Sequence, residues 1–232
     1  MQNATLACEI LYWREGSYQG RGRGGATYRT ASTDVSNKTI TVPASLEPDQ
    51  IEAVVQGELA LYEPMREVIA GDWSRDRGGE PLSVEITALQ GRRSTGGVWS
   101  RPDIVSVEVR TFSFVPGQHL EVTTFEIKAT NAINVGAVYE ALAHRRSATR
   151  SYVLAHIPTE KSGDCEQLVP DVAEVARAHG IGLVIAGDPH DYQSWEEREE
   201  AKRIESDPEK LDNFLSTQMS ENAQKKILRR LR

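Results

Sequence analysis

The succession of strand and helix patterns between residues 82 and 186 constrains the fold more than any other feature of the chain. Period-two alternation predicts strands at residues 82–89, 104–109 and 120–129, and a loop at Pro116-Gly117 joins the last two. Helix and strand patterns then alternate through residues 135–146, 151–157, 166–179 and 181–186. This order is typical of an α/β layer in which right-handed crossovers connect parallel strands.

The strand predicted at residues 120–129 carries charge on one face. Because successive side chains of a strand point to opposite faces, Glu126 and Lys128 share one face while Phe125 and Ile127 share the other. Burying a charged side chain without a purpose is costly. A Glu and a Lys inside an otherwise apolar strand therefore indicate a functional site.

A helical pattern precedes the strands. Apolar residues recur at helical spacing between Asp49 and Ala70. Gly57 and Pro64 fall inside this run, and both residue types disfavour an uninterrupted helix. We therefore expect either two helical stretches or one kinked helix ahead of the sheet.

The sequence assigns no role to the N-terminal segment, residues 1–45. Short strands are predicted at residues 6–13 and 38–42. The glycine-rich stretch between them, Gly16–Gly25, lacks the Gly-Lys-Ser/Thr ending of a phosphate-binding loop, so a loop or linker is favoured over a phosphate cradle. A small recognition domain, an interface and the remnant of something larger all fit this segment.

The bulk composition is that of an ordinary globular protein. The 232 residues, 39% hydrophobic and 26% charged, fit one sizeable domain with appendages or two small ones. No apolar run approaches the roughly 20 residues that span a bilayer, and the N-terminus does not resemble a secretion signal, so a cytoplasmic location is expected. Cys8 and Cys165 are too few for a zinc ligand set.

A net charge of −7 argues against a protein that coats nucleic acid through bulk attraction. Any nucleic-acid contact must be local, and arginines cluster in sequence before Asp103 and after Glu126. They are Arg75, Arg77, Arg92, Arg93 and Arg101 before Asp103 and Arg145, Arg146 and Arg150 after Glu126. Candidate phosphate contacts are Arg92, Arg93, Arg101 and Arg145; solvated positions on loops and helices are the alternative for each.

The C-terminal tail, residues 193–232, has charge-rich helical periodicity that is broken at Pro208. We expect one or two surface helices there. The basic end of the tail either matches the negative end of a helix dipole or forms a contact patch; it comprises Lys225, Lys226, Arg229 and Arg230.

The residues that carry chemistry are Asp103, Glu126 and Lys128. Hydrolysis of a phosphodiester needs an activated water and neutralisation of the charge on the phosphoryl oxygens, and a divalent metal supplies both. Mg²⁺ takes one or two carboxylates plus waters and substrate oxygens. Asp103 opens one strand and Glu126 lies near the end of the next, so strand pairing can bring them together. Lys128 can orient or deprotonate the water, and the Ile127 backbone carbonyl can complete the metal shell.

The pattern Pro102-Asp103 followed by Glu126-Ile127-Lys128 resembles the PD-(D/E)xK nuclease superfamily. The resemblance covers residues 49–189, in which strand, strand, helix and strand follow an N-terminal helix. It implies a restriction-endonuclease-like α/β fold, with a mixed central sheet flanked by helices. To this the chain adds a small N-terminal segment and a helical C-terminal tail, which divides it into residues 1–45, 46–190 and 191–232.

The resemblance also implies site residues on two helices. An acidic residue on the first helix often joins the metal site in this family, for which Glu58 is the candidate and Glu63 the second choice. The helix after the Glu-x-Lys strand frequently carries a Gln and a Tyr, whereas here Glu140 stands where a Gln is common. Residues expected near the site on that helix are Tyr139, Glu140, His144 and Arg145.

These patterns predict a Mg²⁺-dependent endonuclease that hydrolyses phosphodiester bonds, with Mn²⁺ as a substitute metal. DNA is the expected substrate and RNA the second choice. Double-strand cutting by this fold usually needs two active sites, so a homodimer or a partner subunit is expected. Two alternatives stay open: a module with this fold that binds nucleic acid or a partner protein without turnover, and a hydrolase of small nucleotides.

Other chemistries lack a motif in this sequence. The five histidines show no metal-ligand spacing, and no Gly-x-Ser-x-Gly elbow is present. Trp99 either stacks on a base or packs in the core, and core packing is the favoured role.

Overall fold

The computed structural model describes residues 48–89, 101–165 and 167–231 together with four short N-terminal strands, and before Gly57 it describes the backbone alone. The four strands form two antiparallel pairs: β1 (Gly20–Arg21) with β2 (Thr27–Tyr28), and β3 (Ala31–Val35) with β4 (Lys38–Val42). The strand predicted at residues 38–42 is thereby confirmed. Predictions that lie outside the described residues concern the strand at residues 6–13, most of the glycine-rich stretch, the side chains of Arg92 and Arg93, and Trp99.

A six-stranded mixed sheet forms the centre of the described structure. Its strands are β5 (Ser83–Ile86), β6 (Ile104–Arg110), β7 (His119–Ala129), β8 (Arg150–His156), β9 (Gly182–Ala186) and β10 (Trp195–Glu199), in the spatial order β10-β9-β8-β7-β6-β5. Strands β5, β6 and β7 form an antiparallel meander, and β7, β8 and β9 run parallel. The predicted mixed sheet is therefore present.

Strand β10 corrects the prediction that the tail is helical from its start. It pairs antiparallel with β9 and forms one edge of the sheet. Its sequence, Trp-Glu-Glu-Arg-Glu, has no apolar alternation because an edge strand that is largely solvated needs none, and charges on such a strand discourage pairing with other chains.

The sheet is covered by α1 (Pro48–Val68), α2 (Val135–His144), α3 (Leu168–His179), α4 (Pro208–Gln218) and α5 (Glu221–Leu231). Helix α1 passes through Gly57 and Pro64 and continues as a π-helical turn, Ile69–Trp73. Of the two alternatives, two helical stretches or one kinked helix, the structure excludes the first and has a single helix. The buried side chains of Leu61, Met65 and Ile69 pack on the sheet on both sides of Pro64, and this burial outweighs the hydrogen bond that proline removes.

Helices lie on both faces of the sheet. The α1 side packs against Phe125 and Ile127, whereas α2 and α3 pack against Val153 and Ala155 on the opposite face. Helices α2 and α3 are the crossovers between parallel strands, and α3 ends at Gly180, whose φ of 65° is left-handed. No helix in the described residues is long and apolar enough to cross a lipid bilayer.

The two C-terminal helices belong to the core. Phe214, Met219 and Ile227 are buried in a cluster with Val107 and Val122, on the face that also carries α2. The tail was predicted to form surface helices, and its basic residues do lie on the exposed side of α5, but the apolar side of these helices is packed on the sheet.

Candidate active site

The site lies where β7 extends beyond β6. The first residue of β6, Ile104, pairs with Phe125, so the last four residues of β7 pass the start of that neighbour. Asp103, which directly precedes β6, contacts this extension of β7: its Oδ2 accepts a hydrogen bond of 2.8 Å from the Ile127 backbone N–H. The carboxylate of Asp103 is fully buried and is fixed beside the end of β7.

Glu126 and Lys128 occupy the same face of β7, as their spacing predicts. Both side chains are buried, and the Lys128 Nζ lies 2.9 Å from the Glu126 Oε1. Ile127 points to the other face and packs in the core below α1. Because the N–H and C=O of one strand residue face the same neighbour, the Ile127 carbonyl is directed to the edge that Asp103 occupies.

Helix α1 brings Glu58 to the same place. Glu58 is fully buried, and its Oε1 lies 4.0 Å from the Lys128 Nζ. Glu63, the second choice for this role, was wrong: its side chain is exposed and pairs with Arg66 at 2.5 Å. Helical spacing explains the difference, because residues five positions apart lie on different faces of the helix.

Tyr62 is a member of the site that the sequence motifs do not indicate. It is buried one turn after Glu58, and its hydroxyl is hydrogen-bonded to Asp103. Burial raises the pKa of Tyr62 far above its ordinary value, and the negative charges of Asp103, Glu58 and Glu126 raise it further. Tyr62 therefore stays protonated and donates to the carboxylate. The i, i+4 spacing from Glu58 was the available signal.

Helix α2 supplies Glu140 and His144, which share a face of the helix at i, i+4 spacing. The Glu140 Oε2 lies 2.7 Å from the Lys128 Nζ, and the His144 Nε2 lies 3.9 Å from the Glu126 Oε2. Burial raises the pKa of Glu140 to about 7, Lys128 opposes this shift, and Glu126 adds to it. The structure thus brings Glu140 and His144, both predicted near the site, into the group of side chains around Glu126 and Lys128.

The structure places Tyr139 and Arg145 elsewhere. The Tyr139 ring packs edge-on against His179 at 5.6 Å, and the Arg145 Nη1 donates to the His179 backbone carbonyl. His179 ends α3, ahead of the first residue of β9, whereas the cluster lies at the last residues of the parallel strand β7. The expectation that Tyr139 and Arg145 lie near the site is therefore wrong.

Most of the other described arginines are engaged in the fold. Arg77 stacks 3.3 Å from the Trp73 ring centroid, and the Arg150 Nη1 lies 3.0 Å from the Glu121 Oε2. Arg101 is half-buried and directly precedes Pro102, which places it next to the site. Among the described candidates for phosphate contact, Arg101 is thus the one adjacent to the cluster in sequence.

The cluster holds more negative than positive groups. Three buried carboxylates, those of Glu58, Glu126 and Glu140, lie within 4.0 Å of the Lys128 ammonium, and the buried carboxylate of Asp103 is fixed beside Ile127 on the same strand. Removing charges from water costs several kcal/mol per ion unless opposite charge compensates them. A further cation would reduce this imbalance, as would a proton on Glu140, whose pKa burial raises to about 7.

The number of oxygen donors at this site is small but is one that Mg²⁺ accepts from a protein. Within the described part of the chain, no three His, Cys, Asp or Glu side chains form a group that could hold a metal ion. Mg²⁺ needs only one or two carboxylates when waters and substrate oxygens complete its shell. Asp103 and Glu126, with the Ile127 carbonyl, would be the residues that hold it.

Comparison of the chain with protein-family models, with curated proteins and with solved structures finds no match. The resemblance to the PD-(D/E)xK superfamily therefore rests on the residue pattern.

Proposed function

We propose that this protein is a Mg²⁺-dependent endonuclease of the PD-(D/E)xK type, with a restriction-endonuclease-like fold, that hydrolyses phosphodiester bonds in DNA. The observation that carries the proposal is the buried cluster at the end of β7. There Glu126 and Lys128 meet Asp103 from the start of β6 and Glu58 from α1. Buried carboxylates gathered around a lysine are expensive for stability and are typical of functional sites.

Each side chain has a role in this proposal. Asp103 and Glu126 hold the metal, and Glu58 tunes that site or binds a second ion. When bound, Mg²⁺ offsets the phosphate charge and lowers the pKa of a coordinated water. The Lys128 ammonium, 2.9 Å from Glu126, orients the attacking water and neutralises charge on the phosphoryl oxygens, and only as the neutral amine would Lys128 deprotonate that water. Tyr62 holds Asp103 in place through its hydroxyl.

The net charge of the chain constrains how it contacts a nucleic acid. A net charge of −7 argues against binding of polynucleotides by bulk attraction, so the contact is local. Arg101 lies next to Pro102 and Asp103 and is the candidate for a phosphate contact near the scissile bond. A homodimer or a partner subunit would supply the second active site that double-strand cutting needs.

One observation favours the alternative of a binding module without turnover. The Lys128 Nζ is closer to Glu140, at 2.7 Å, than to Glu126, at 2.9 Å. An ammonium held among carboxylates is less available to a water or a phosphate. Cleavage distinguishes the two functions, because a nuclease cuts the nucleic acid that it binds whereas a binding module does not.

The test incubates the purified protein with supercoiled, linear and single-stranded DNA and with RNA, in Mg²⁺, in Mn²⁺ and in EDTA. We expect DNA cleavage in either metal and none in EDTA. Asp103→Asn and Glu126→Gln should lower the rate about a hundredfold or more, because they remove ligands whose metal contributes several kcal/mol.

The matched control is Glu121→Gln. Glu121 is a buried carboxylate on the same strand, paired with Arg150 and Arg203 rather than with the cluster. The Glu121→Gln variant should cut DNA at the wild-type rate. Cleavage that persists in EDTA, or that is unchanged in Glu126→Gln, would contradict the proposal. Nucleic-acid binding without cleavage under every condition would establish the binding module instead.

A further inference from the structure

The proposed function gives no role to the residue nearest to the Lys128 ammonium. That residue is Glu140, whose Oε2 lies 2.7 Å from the Nζ. Lys128 also lies 2.9 Å from Glu126 and 4.0 Å from Glu58. An ammonium has three protons to donate, and these carboxylates reach it from three separate elements, β7, α1 and α2. Its position is therefore set by the arrangement of those elements.

Helix α2 is well placed to act as a rigid support. Ala137, Val138 and Ala141 are fully or almost fully buried against the sheet, and such small side chains let the helix approach β7 and β8 closely. The Asn134 side chain caps the helix by accepting a 2.7 Å hydrogen bond from the Gly136 N–H. Glu140 projects from this anchored segment, and its side chain is buried beside Lys128.

Lysine by contrast is a flexible side chain. Its four-carbon stem has many rotamers, and holding one of them requires partners for the ammonium. Glu126 alone is a poor support, because in the proposed function its carboxylate also holds the metal. A carboxylate that has no other task can hold the lysine whether or not Glu126 is engaged.

We infer that Glu140 is a positioning residue that holds the Lys128 ammonium beside Glu126. This inference rests on the proposed function for its catalytic consequence, but the geometry it claims concerns the protein without metal. Glu140 acts through Lys128 and does not touch the substrate. The location of its oxygen matters, and its charge is secondary, so glutamine can replace it and aspartate cannot.

The first measurement compares cleavage rates of Glu140→Gln, Glu140→Asp and Glu140→Ala at saturating DNA. The glutamine amide oxygen can occupy the position of the Glu140 Oε2 against the Lys128 ammonium, so we expect kcat within about threefold of wild type. Aspartate keeps the charge but withdraws the oxygen by about one bond length, and alanine removes it. Both should lower kcat by about ten- to a hundredfold with KM unchanged, since displacements near 1 Å cost rates of that order.

The second measurement needs no activity. In metal-free protein, the Lys128 ammonium should give a slowly exchanging Nζ proton signal by NMR, assigned through its loss in Lys128→Met. Exchange should be at least about tenfold faster in Glu140→Asp and Glu140→Ala. It should be unchanged in Glu140→Gln and in the matched control Glu121→Gln, whose carboxylate pairs with Arg150 and Arg203.

The two measurements separate the possible failures. Wild-type kcat and slow exchange in Glu140→Asp would overturn the inference while leaving the nuclease intact. A loss of kcat in Glu140→Gln with slow exchange retained would also overturn it, because charge rather than position would then matter. Absence of cleavage by wild type would refute the proposed function, and the exchange rates alone would then decide whether Glu140 holds Lys128. If Glu140→Ala does not fold, Glu140→Asp and Glu140→Gln still compare a displaced oxygen with a retained one, in kcat and in Nζ proton exchange.

Discussion

Replacement of Lys128 by methionine removes the ammonium that faces the carboxylates of Glu58, Glu126 and Glu140 while keeping most of the side-chain volume. All four side chains are at least 89% buried, since their exposed fractions are 5% for Lys128 and 0%, 3% and 11% for the carboxylates. Water therefore screens the remaining negative charges poorly. The variant must hold several like charges together without the cation that compensates them.

The expected loss of stability is large. Removing one partner of a buried ion pair costs about 3 to 5 kcal/mol, because the other charge is left buried and uncompensated. For a domain of this size, each kcal/mol corresponds to about 2 to 4 °C, so the melting temperature should fall by roughly 6 to 20 °C. Mg²⁺ should restore part of this loss, because a cation that binds only the folded state stabilises it.

The assay is denaturant unfolding of wild type and Lys128→Met in EDTA and in Mg²⁺. Lys225→Met serves as the control, because the Lys225 side chain is 73% exposed and lies 3.7 Å from Glu221 at the surface. The control should change the free energy of unfolding by less than about 1 kcal/mol. A Lys128→Met variant as stable as wild type in EDTA would refute the reasoning, because the carboxylates would then not need the ammonium.

Two other predictions concern the same cluster. Glu140 has a pKa of about 7 in the folded protein against an ordinary value of 4.5, so its contribution to stability is present below pH 4.5 and is lost as pH rises to 7. Relative to Glu140→Gln, wild type in EDTA should therefore lose roughly 3 kcal/mol across this range, measured by urea unfolding against pH; a difference that is flat with pH would contradict it. Tyr62→Phe removes the hydroxyl that donates to Asp103 and should cost about 1.5 to 3 kcal/mol in the same assay, whereas an unchanged midpoint would show that the hydrogen bond contributes nothing.

Much of the sheet could be predicted because its buried strands are rich in apolar residues. Alternation in residues 120–129 marks β7, and the left-handed Gly180 marks the end of α3. The continuity of α1 through Pro64 could not be predicted, since it depends on burial against a sheet formed by distant residues. Strand β10 carries four charged residues out of five and owes its place to pairing with β9, which local periodicity does not encode.

Part of the candidate site could likewise be predicted from the sequence, and part depends on packing. The two-residue spacing places Glu126 and Lys128 on one face of a strand, and this relation holds wherever the strand lies. The contact between Lys128 and Glu140 depends instead on how closely α2 approaches β7, which is a property of packing. Tyr62 was within reach of sequence reasoning, because it follows Glu58 by one helical turn. The role inferred for Glu140 rests on its contact with Lys128, which the sequence alone does not reveal.

A structure of the protein with Mn²⁺ and a short DNA duplex tests the central claim most directly. We expect an anomalous scattering peak within bonding distance of the Asp103 and Glu126 carboxylates and the Ile127 carbonyl, with a phosphate of the duplex beside Lys128. A peak bound by other residues, or a duplex bound away from the end of β7, would contradict it.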